Sequence, residues 1–320
     1  MSGLKALHLL YSGSEKGGAQ RVAIDCALHN PNLYTSTVRS GSLIKFLQER
    51  SLRSMGFNKL IFHHRFDVIF CSDPRALLFS FFCLRSVLSK KFLILHSDKL
   101  IRHKFIITSF CRLFFVRCVC TTKTQLNAFE SSLISTSLVR IVDIPTMKNP
   151  VKRTQNILYF GRFDKIKNLQ EIIEIFTNAR KKINTLKLTL VGSGNEILFH
   201  NKGVEIIYDW MSRDELEKIM QNSSFIVNAT NHEGFSLQIM EGISNGLFPL
   251  VKSKGLINNY NLPEECKLNV ENILKAIDLN ESDWNKFVTN FQKSLYIYLK
   301  DTIHIKEYVK FEIQGNSADK

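Results

Sequence analysis

Residues 231–241 read NHEGFSLQIME and place two carboxylates, Glu233 and Glu241, eight positions apart. A short apolar run before them predicts a buried strand, and Leu237–Ser244 predicts a helix. Glu233 is therefore expected in the strand-to-helix loop, and Glu241 about two turns into the helix. The first N–H groups of a helix lack partners within it, so the start of this helix predicts an anion site. The expected donors are the amides of Gly234, Phe235, Ser236 and Leu237. A phosphate site between two carboxylates suits a nucleoside-diphosphate sugar.

A second segment with matching chemistry lies upstream. Residues 156–160, NILYF, predict a strand that ends at Gly161, where glycine permits a tight turn. Arg162 and Lys167 follow, and then an amphipathic helix. A departing diphosphate gains negative charge, which a guanidinium fork and an ammonium group would stabilise. Taken alone, these basic residues also fit a solvated loop.

Between the two segments, the sequence LKLTLVGSG predicts a strand followed by Gly192 and Gly194. A dinucleotide-binding fingerprint needs a third glycine and a later acidic residue. Both are missing, so we exclude an NAD site. Trp210 follows the next predicted strand, where an aromatic residue can pack in the core.

In order and spacing, these segments resemble the GT4-type retaining glycosyltransferases, also called glycosyl transferases group 1. The resemblance covers residues 156–251, in which Glu233-x7-Glu241 is similar to the paired-glutamate motif of that family. The segment after Gly161 is similar to the Gly-Arg-Leu-x3-Lys-Asn motif, with Phe163 in place of leucine. The resemblance implies an α/β protein with the GT-B fold, in which two Rossmann-like domains have parallel sheets that face each other across a cleft.

The resemblance also implies roles for individual residues. Arg162 and Lys167 would stabilise the departing diphosphate, while Glu233 would bind sugar hydroxyls and Glu241 ribose hydroxyls. His96 ends a predicted strand where the family has a histidine facing the donor sugar, although a histidine there can also satisfy a backbone group. The predicted catalytic residues are Glu233, Arg162, Lys167 and His96. The predicted donor-binding residues are Gly161, Arg162, Lys167, Gly192, Gly194, Trp210, Gly234, Phe235, Ser236, Leu237 and Glu241. The predicted acceptor or phosphate loop contains Gly17 and Gly18.

The chain of 320 residues is long enough for two domains of ordinary size. Strand-like and helix-like segments alternate along it, which favours parallel sheets. Around Pro150 the composition turns to proline, lysine and polar residues. We therefore predict an acceptor-binding, membrane-facing domain at 1–149 and a donor-binding domain at 150–283. Residues 284–320 are predicted to form a C-terminal helix that packs back on the first domain, as the resemblance implies.

The positive charge of the chain is concentrated in its first half. Residues 1–150 contain 21 Lys and Arg against 8 Asp and Glu, whereas residues 151–320 contain 22 against 21. Residues 76–88 and 101–119 combine basic and very apolar side chains, as helices at a membrane interface do. Each segment alone also fits a core helix with a solvated rim. Together they predict contact with an anionic membrane surface, and no nucleic-acid-binding module is visible.

These observations predict a glycosyltransferase that uses a nucleoside-diphosphate sugar, UDP- or GDP-linked, and a glycan or lipid-linked acceptor in cell-surface polysaccharide or lipopolysaccharide synthesis. The resemblance implies that transfer retains configuration and needs no metal or other cofactor. The sequence begins almost directly with a strand and has no long apolar run, so we expect a cytoplasmic protein, peripheral on the inner face of the cytoplasmic membrane. Two alternatives share these features: a nucleotide-sugar 2-epimerase of the same fold, and a non-catalytic degenerate glycosyltransferase subunit.

Overall fold

A computed structural model of the chain contains two α/β units, each built on a parallel sheet. The residues it describes are 4–13, 18–96, 98–130, 136–141, 143–150, 152–194, 202–208 and 211–314. The strands are β1 (Ala6–Leu10), β2 (Leu33–Thr37), β3 (Val68–Cys71), β4 (Lys90–Leu95), β5 (Arg117–Cys120), β6 (Thr136–Arg140), β7 (Asn156–Phe160), β8 (Lys187–Val191), β9 (Val204–Ile207), β10 (Phe225–Asn228), β11 (Phe248–Val251) and β12 (Ile303–His304). The helices are α1 (Gly18–His29), α2 (Ser42–Glu49), α3 (Phe57–His63), α4 (Pro74–Ser80), α5 (Lys104–Leu113), α6 (Lys123–Glu130), α7 (Leu169–Arg180), α8 (Arg213–Gln221), α9 (Leu237–Ser244), α10 (Lys254–Tyr260), α11 (Val270–Asp278), α12 (Glu281–Lys300) and α13 (Ile305–Gln314).

The two sheets have different strand orders. In the first unit the order is β12-β6-β5-β4-β3-β1-β2, and in the second it is β11-β10-β7-β8-β9, with parallel pairing throughout. Central strands such as β1 and β10 are buried along their whole length. Parallel sheets are covered on both faces by their crossover helices, so such strands read as continuous apolar runs. The predicted α/β class with two parallel sheets is therefore confirmed.

The described cysteines lie in the interior of the units. All seven are buried thiols that form no disulfide bond, as expected for apolar core residues. In the second unit the indole of Trp284 fills the space beside β10 and β11, with ring centroids 5.2 Å from Phe225 and 5.3 Å from Phe248. Trp284 belongs to α12, so this long helix is part of the core of the second unit.

The unit boundaries lie elsewhere than the predicted domain limits. The first unit comprises residues 1–143 and 302–320, and the second comprises 144–301. Helix α12, predicted to pack on the first domain, packs within the second unit, because its apolar face covers β10 and β11. Only the segment after Asp301 returns to the first unit, where β12 extends the sheet beside β6 and α13 packs on it.

Two predicted basic helices of the first unit are shorter than expected. In the run 76–88 the α-helix ends at Ser80 and a 3-10 helix follows at Leu84–Ser86. In the run 101–119 a 3-10 helix ends at His103, α5 follows, and Arg117 then enters strand β5. Phe115 has a φ of 53°, a left-handed conformation that ends the turn after α5. Among the described residues, no helix is both long and apolar enough to cross a membrane.

Candidate functional site

The strand order of the second unit creates a point where the chain changes direction. From β7 the chain passes to β8 and β9 on one side of the sheet, and then to β10 and β11 on the other. The loops after β7 and β10 therefore diverge at the carboxyl ends of two paired strands, where open α/β sheets bind ligands. These loops contain the basic segment after Gly161 and the acidic loop around Glu233.

Glycines allow the loops after β7 and β8 to run against each other. Gly161 has a φ of +148° and Gly192 a φ of +153°, both unfavourable for other residues. A Cβ on Gly192 would overlap the carbonyl oxygen of Gly161, and one on Gly194 would overlap that of Phe163. The absence of a side chain at Gly192 and Gly194 thus allows the backbone of the Arg162 loop to pack directly against them. The predicted contact of these glycines with the donor stays a prediction.

The two basic residues of the β7 loop have different surroundings. The Arg162 side chain is about half exposed and its Nη1 lies 3.6 Å from Asp164 Oδ2. Its backbone carbonyl accepts a 2.8 Å hydrogen bond from the Tyr159 hydroxyl. Lys167 ends a short 3-10 helix and precedes Asn168, whose φ of 51° reverses the chain into α7. Arg162 therefore faces solvent, while Lys167 is turned back toward the sheet.

Lys167 meets Glu233 at the switch point. The Lys167 Nζ atom donates to both carboxylate oxygens, at 3.1 Å to Oε2 and 3.3 Å to Oε1. The side chains are only 18% and 21% exposed, so this is a partly desolvated ion pair. Asn168 Nδ2 also donates to the carbonyl of Ala229 at 2.9 Å, which joins the two loops beside the pair. The structure thus unites two residues that the sequence separates by 66 positions.

Three polar residues fix Glu233 by hydrogen bonds to its side chain and its backbone. Its Oε2 atom accepts hydrogen bonds from Thr230 Oγ1 at 2.8 Å and from Asn228 Nδ2 at 3.1 Å. Ser253 Oγ accepts from the Glu233 amide at 3.2 Å and donates to its carbonyl at 2.8 Å. None of these three residues was predicted from the sequence. The signal available was Asn228 itself, a polar residue at the end of an apolar strand.

The helix after this loop begins where it was predicted to begin. Ser236 is the N-cap of α9, with its Oγ accepting from the Ile239 amide, and Leu237 is the first helical residue. The Ser236 amide already donates to the Tyr260 hydroxyl at 3.3 Å. Tyr260 therefore occupies this amide in the structure, and the predicted contact of Ser236 with phosphate stays a prediction. The amides of the first helical turn, beginning with Leu237, have no carbonyl one turn earlier to bind.

The remaining predicted residues of this loop have defined environments. Phe235 packs between Tyr260 and Tyr298, with ring centroids 5.8 Å and 6.3 Å away. The carbonyl of Gly234 accepts from Asn259 Nδ2 at 2.8 Å. Glu241 is the fifth residue of α9, so it lies about one turn into the helix instead of two. Its predicted contact with ribose stays a prediction.

Two candidate residues of the first unit, Gly18 and His96, have defined positions in the structure. Gly18, predicted in a loop, is the first residue of α1. Gly17 lies outside the described residues, as does Trp210 of the second unit. His96 directly follows β4, and burial lowers its pKa to about 4, so it is neutral near pH 7. Within the described part of the chain, neither ring nitrogen of His96 has a hydrogen-bond partner. It therefore does not satisfy a backbone group there.

A neighbouring histidine in β1 is also buried and neutral. His8 Nε2 shares a 2.8 Å hydrogen bond with Ser72 Oγ. Two effects lower the pKa of His8 to about 3: burial, which is the larger, and the nearby His96. Buried polar atoms are normally hydrogen-bonded, so the unpartnered nitrogens of His96 stand out at the carboxyl end of the sheet.

Comparisons with known proteins agree with this arrangement. Residues 154–272 match the family model of glycosyl transferases group 1, which covers the site of the second unit. The GDP-mannose:cellobiosyl-diphosphopolyprenol alpha-mannosyltransferase of Xanthomonas oryzae pv. oryzae (strain PXO99A) is 24% identical over 161 residues. That match covers 45% of this chain and 42% of that protein, so it spans less than half of the relative.

The fold is similar to that of solved glycosyltransferases over nearly the whole chain. Anabaena HepE in complex with UDP-glucose has a TM-score of 0.71 at 14% identity, covering 96% of this chain and 98% of that one. The E. coli trehalose-6-phosphate structure bound with UDP-2-fluoro glucose has a TM-score of 0.64 at 12% identity, covering 97% and 99%. The two parallel units and these likenesses identify the GT-B fold. The family match and the mannosyltransferase relative support a glycosyltransferase family for this chain.

Proposed function

We propose that this protein transfers a sugar from a nucleoside-diphosphate sugar to a hydroxyl group of a glycan acceptor. The observation that carries the proposal is the Lys167–Glu233 pair at the switch point of the second sheet, inside the segment that matches the family model. A cation and a carboxylate there supply one group for a phosphate and one for a sugar hydroxyl.

The leaving group needs positive charge as its bond to the sugar breaks. Lys167 would place a point charge on the diphosphate, and Arg162, which faces solvent, would add a planar fork. The amides of Phe235 and Leu237 at the start of α9 would hold phosphate oxygens. With two cations in place, transfer would need no metal ion.

The carboxylates would position the sugar and the nucleoside. Glu233 would accept hydrogen bonds from sugar hydroxyls, and Thr230 and Asn228 fix its carboxylate by donating to one oxygen. Glu241 would bind the ribose hydroxyls. We propose transfer with retention, as the family resemblance implies, with the unpartnered His96 available to a sugar hydroxyl.

The acceptor we propose is a lipid-linked glycan of cell-surface polysaccharide or lipopolysaccharide synthesis. The named relative acts on a cellobiosyl-diphosphopolyprenol, which is a lipid-linked saccharide. The first unit of this chain exposes large apolar side chains next to basic ones, which suits a peripheral membrane protein that meets such an acceptor. The donor is UDP- or GDP-linked, by analogy with the ligands of HepE and the name of the relative.

Thermal unfolding with UDP, GDP, ADP and CMP tests the donor site, because a ligand of the native state raises the melting temperature. We expect UDP or GDP to stabilise the wild type but not Lys167→Ala or Arg162→Ala. Lys165→Ala is the matched control, since this exposed lysine lies in the same 3-10 turn. Stabilisation by no nucleotide would favour a non-catalytic protein, and conversion of the free donor without acceptor would favour the epimerase.

A further inference from the structure

Six large apolar side chains of the first unit are exposed around helix α5. They are Phe82, Leu88, Phe105, Ile106, Leu113 and Phe115, here named the aromatic surface. Three are nearly fully exposed: Leu88 at 97%, Phe115 at 91% and Phe105 at 84%. Such side chains normally mark an interaction surface when they lie together.

The topology of the sheet brings these residues to one region. Leu88 lies just before β4 and Phe115 just before β5, and these strands pair with Phe92 opposite Arg117. The two turns therefore lie side by side at the amino ends of adjacent parallel strands. Helix α5 leads directly into one of these turns.

Aromatic contacts tie the end of α4 to the end of α5. The ring of Phe81 lies 4.8 Å from Phe114 and 5.6 Å from Phe110. Phe82, next to Phe81, is thereby held near the end of α5. Ile106 and Leu113 are seven residues apart, so they share one exposed face of that helix. The aromatic surface thus runs along α5 and across the neighbouring turns.

The charges around this surface have one sign. Residues 74–117 contain nine Lys and Arg and a single acidic residue, Asp98. Arg85, Lys90, Arg102 and Arg112 are exposed among the apolar side chains. An apolar surface with a basic rim fits a bilayer with anionic lipids, since the rings reach the acyl boundary while the cations meet the headgroups.

We propose that the aromatic surface docks this protein on an anionic lipid bilayer, with Phe105 and Phe115 inserted at the headgroup boundary. This inference concerns the first unit and does not depend on the proposed transfer reaction. A second copy of the chain is a poorer occupant. A two-fold contact would bring the same surface of both copies together and would place like charges opposite each other.

Vesicle co-sedimentation of the full chain, without donor or acceptor, tests the proposal. We expect binding to phosphatidylcholine vesicles that contain phosphatidylglycerol, and little binding to phosphatidylcholine alone. The variant Phe105→Ser/Phe115→Asn should bind at least about tenfold more weakly. Asparagine is chosen at 115 because it tolerates the φ of 53°. Phe311→Ser is the matched control, since Phe311 is 57% exposed in α13 of the same unit, outside the surface.

Three further measurements test the same proposal. Arg85→Gln/Arg112→Gln should weaken binding to the anionic vesicles, and salt should weaken wild-type binding. Phe105→Trp should show a blue-shifted emission with these vesicles. Equal binding to neutral vesicles, or undiminished binding of the double phenylalanine variant, would overturn the proposal. Concentration-dependent self-association that this variant abolishes would assign the surface to a second copy. Stabilisation by nucleotide in the second unit would be unaffected by any of these outcomes.

Discussion

The ion pair between Lys167 and Glu233 predicts that removing one of the two charges strengthens the binding of a nucleotide. Both residues are expected to serve the donor, yet in the unliganded protein they bind each other, with Nζ 3.1 Å from Oε2. A diphosphate that needs Lys167 must compete with the carboxylate. Removing the negative charge by Glu233→Gln should therefore release Lys167 and strengthen the binding of a nucleoside diphosphate that carries no sugar.

The magnitude follows from the partial burial of the pair. Exposed ion pairs contribute about 0.2–1 kcal/mol, and this pair, with side chains 18% and 21% exposed, should lie at about 1 kcal/mol or slightly above. At about 1.4 kcal/mol per tenfold, the variant Glu233→Gln should bind the diphosphate about fivefold more tightly. Lys167→Ala removes a charge-assisted phosphate contact of about 1.5–3 kcal/mol, so its affinity should fall about 10- to 100-fold.

Titration calorimetry with the stabilising nucleotide would measure these affinities for the wild type, both single variants and the double variant. If Glu233 acts by holding Lys167, Glu233→Gln has no effect in the Lys167→Ala background. A gain that persists there would mean that the carboxylate simply repels phosphate. Weaker binding by Glu233→Gln in the wild-type background would refute the competition altogether. In every case, Glu233→Gln should lose most of the transfer activity with the complete donor, because it would no longer bind the sugar as a carboxylate.

Three further predictions concern the loops and the first unit. Gly192→Ala should destabilise the second unit by about 2–4 kcal/mol in urea unfolding, because the new Cβ would overlap the backbone of the β7 loop. Gly56→Ala, where a Cβ meets nothing within 4 Å, should change stability by less than about 1 kcal/mol, and equal losses would contradict the packing argument. Thr230→Val removes the hydroxyl that donates to Glu233 Oε2 and should slow transfer about tenfold, with nucleotide affinity in calorimetry unchanged; an unchanged rate would exclude the positioning role. Burial lowers the pKa of His8 from 6.5 to about 3, so below pH 6.5 the unfolded chain takes up a proton that the folded chain does not. The stability that depends on His8 is therefore lost as the pH falls, by about 2 kcal/mol between pH 7 and pH 5, and urea unfolding of His8→Asn should show a correspondingly weaker pH dependence.

The parts of the site that follow from local pattern were predictable. The buried strand before Glu233 and the start of α9 depend on neighbouring residues, and the structure has them where the sequence predicts them. The occupation of the Ser236 amide by Tyr260 was not predictable, because the two residues lie 24 positions apart. Asn228 was overlooked for a related reason: a polar residue at a strand end is usually solvated, and only the fold directs it to a carboxylate.

The fold predictions are wrong where the sequence pattern does not specify which element a segment packs against. The apolar face of α12 predicts burial but does not say against which sheet, and Trp284 decides that by packing beside β10 and β11. The run 76–88 is apolar enough for one helix, yet Ser86 and Ser89 bond to the backbone of Phe66 and hold turns instead. Hydrophobic periodicity does not reveal these bonds, because Phe66 lies 20 and 23 positions away in the sequence.

The return of the chain to the first unit after Asp301 affects the order of folding during synthesis. Strand β12 and helix α13 complete the first sheet, and Ile305, Val309 and Ile313 join its apolar core. During synthesis, residues 4–141 therefore leave the ribosome first, but their sheet stays incomplete until the whole second unit and the segment after Asp301 have followed. During that interval the edge of β6 and the surface under α13 are open to wrong partners. The second unit, formed from one continuous stretch, has no such delay.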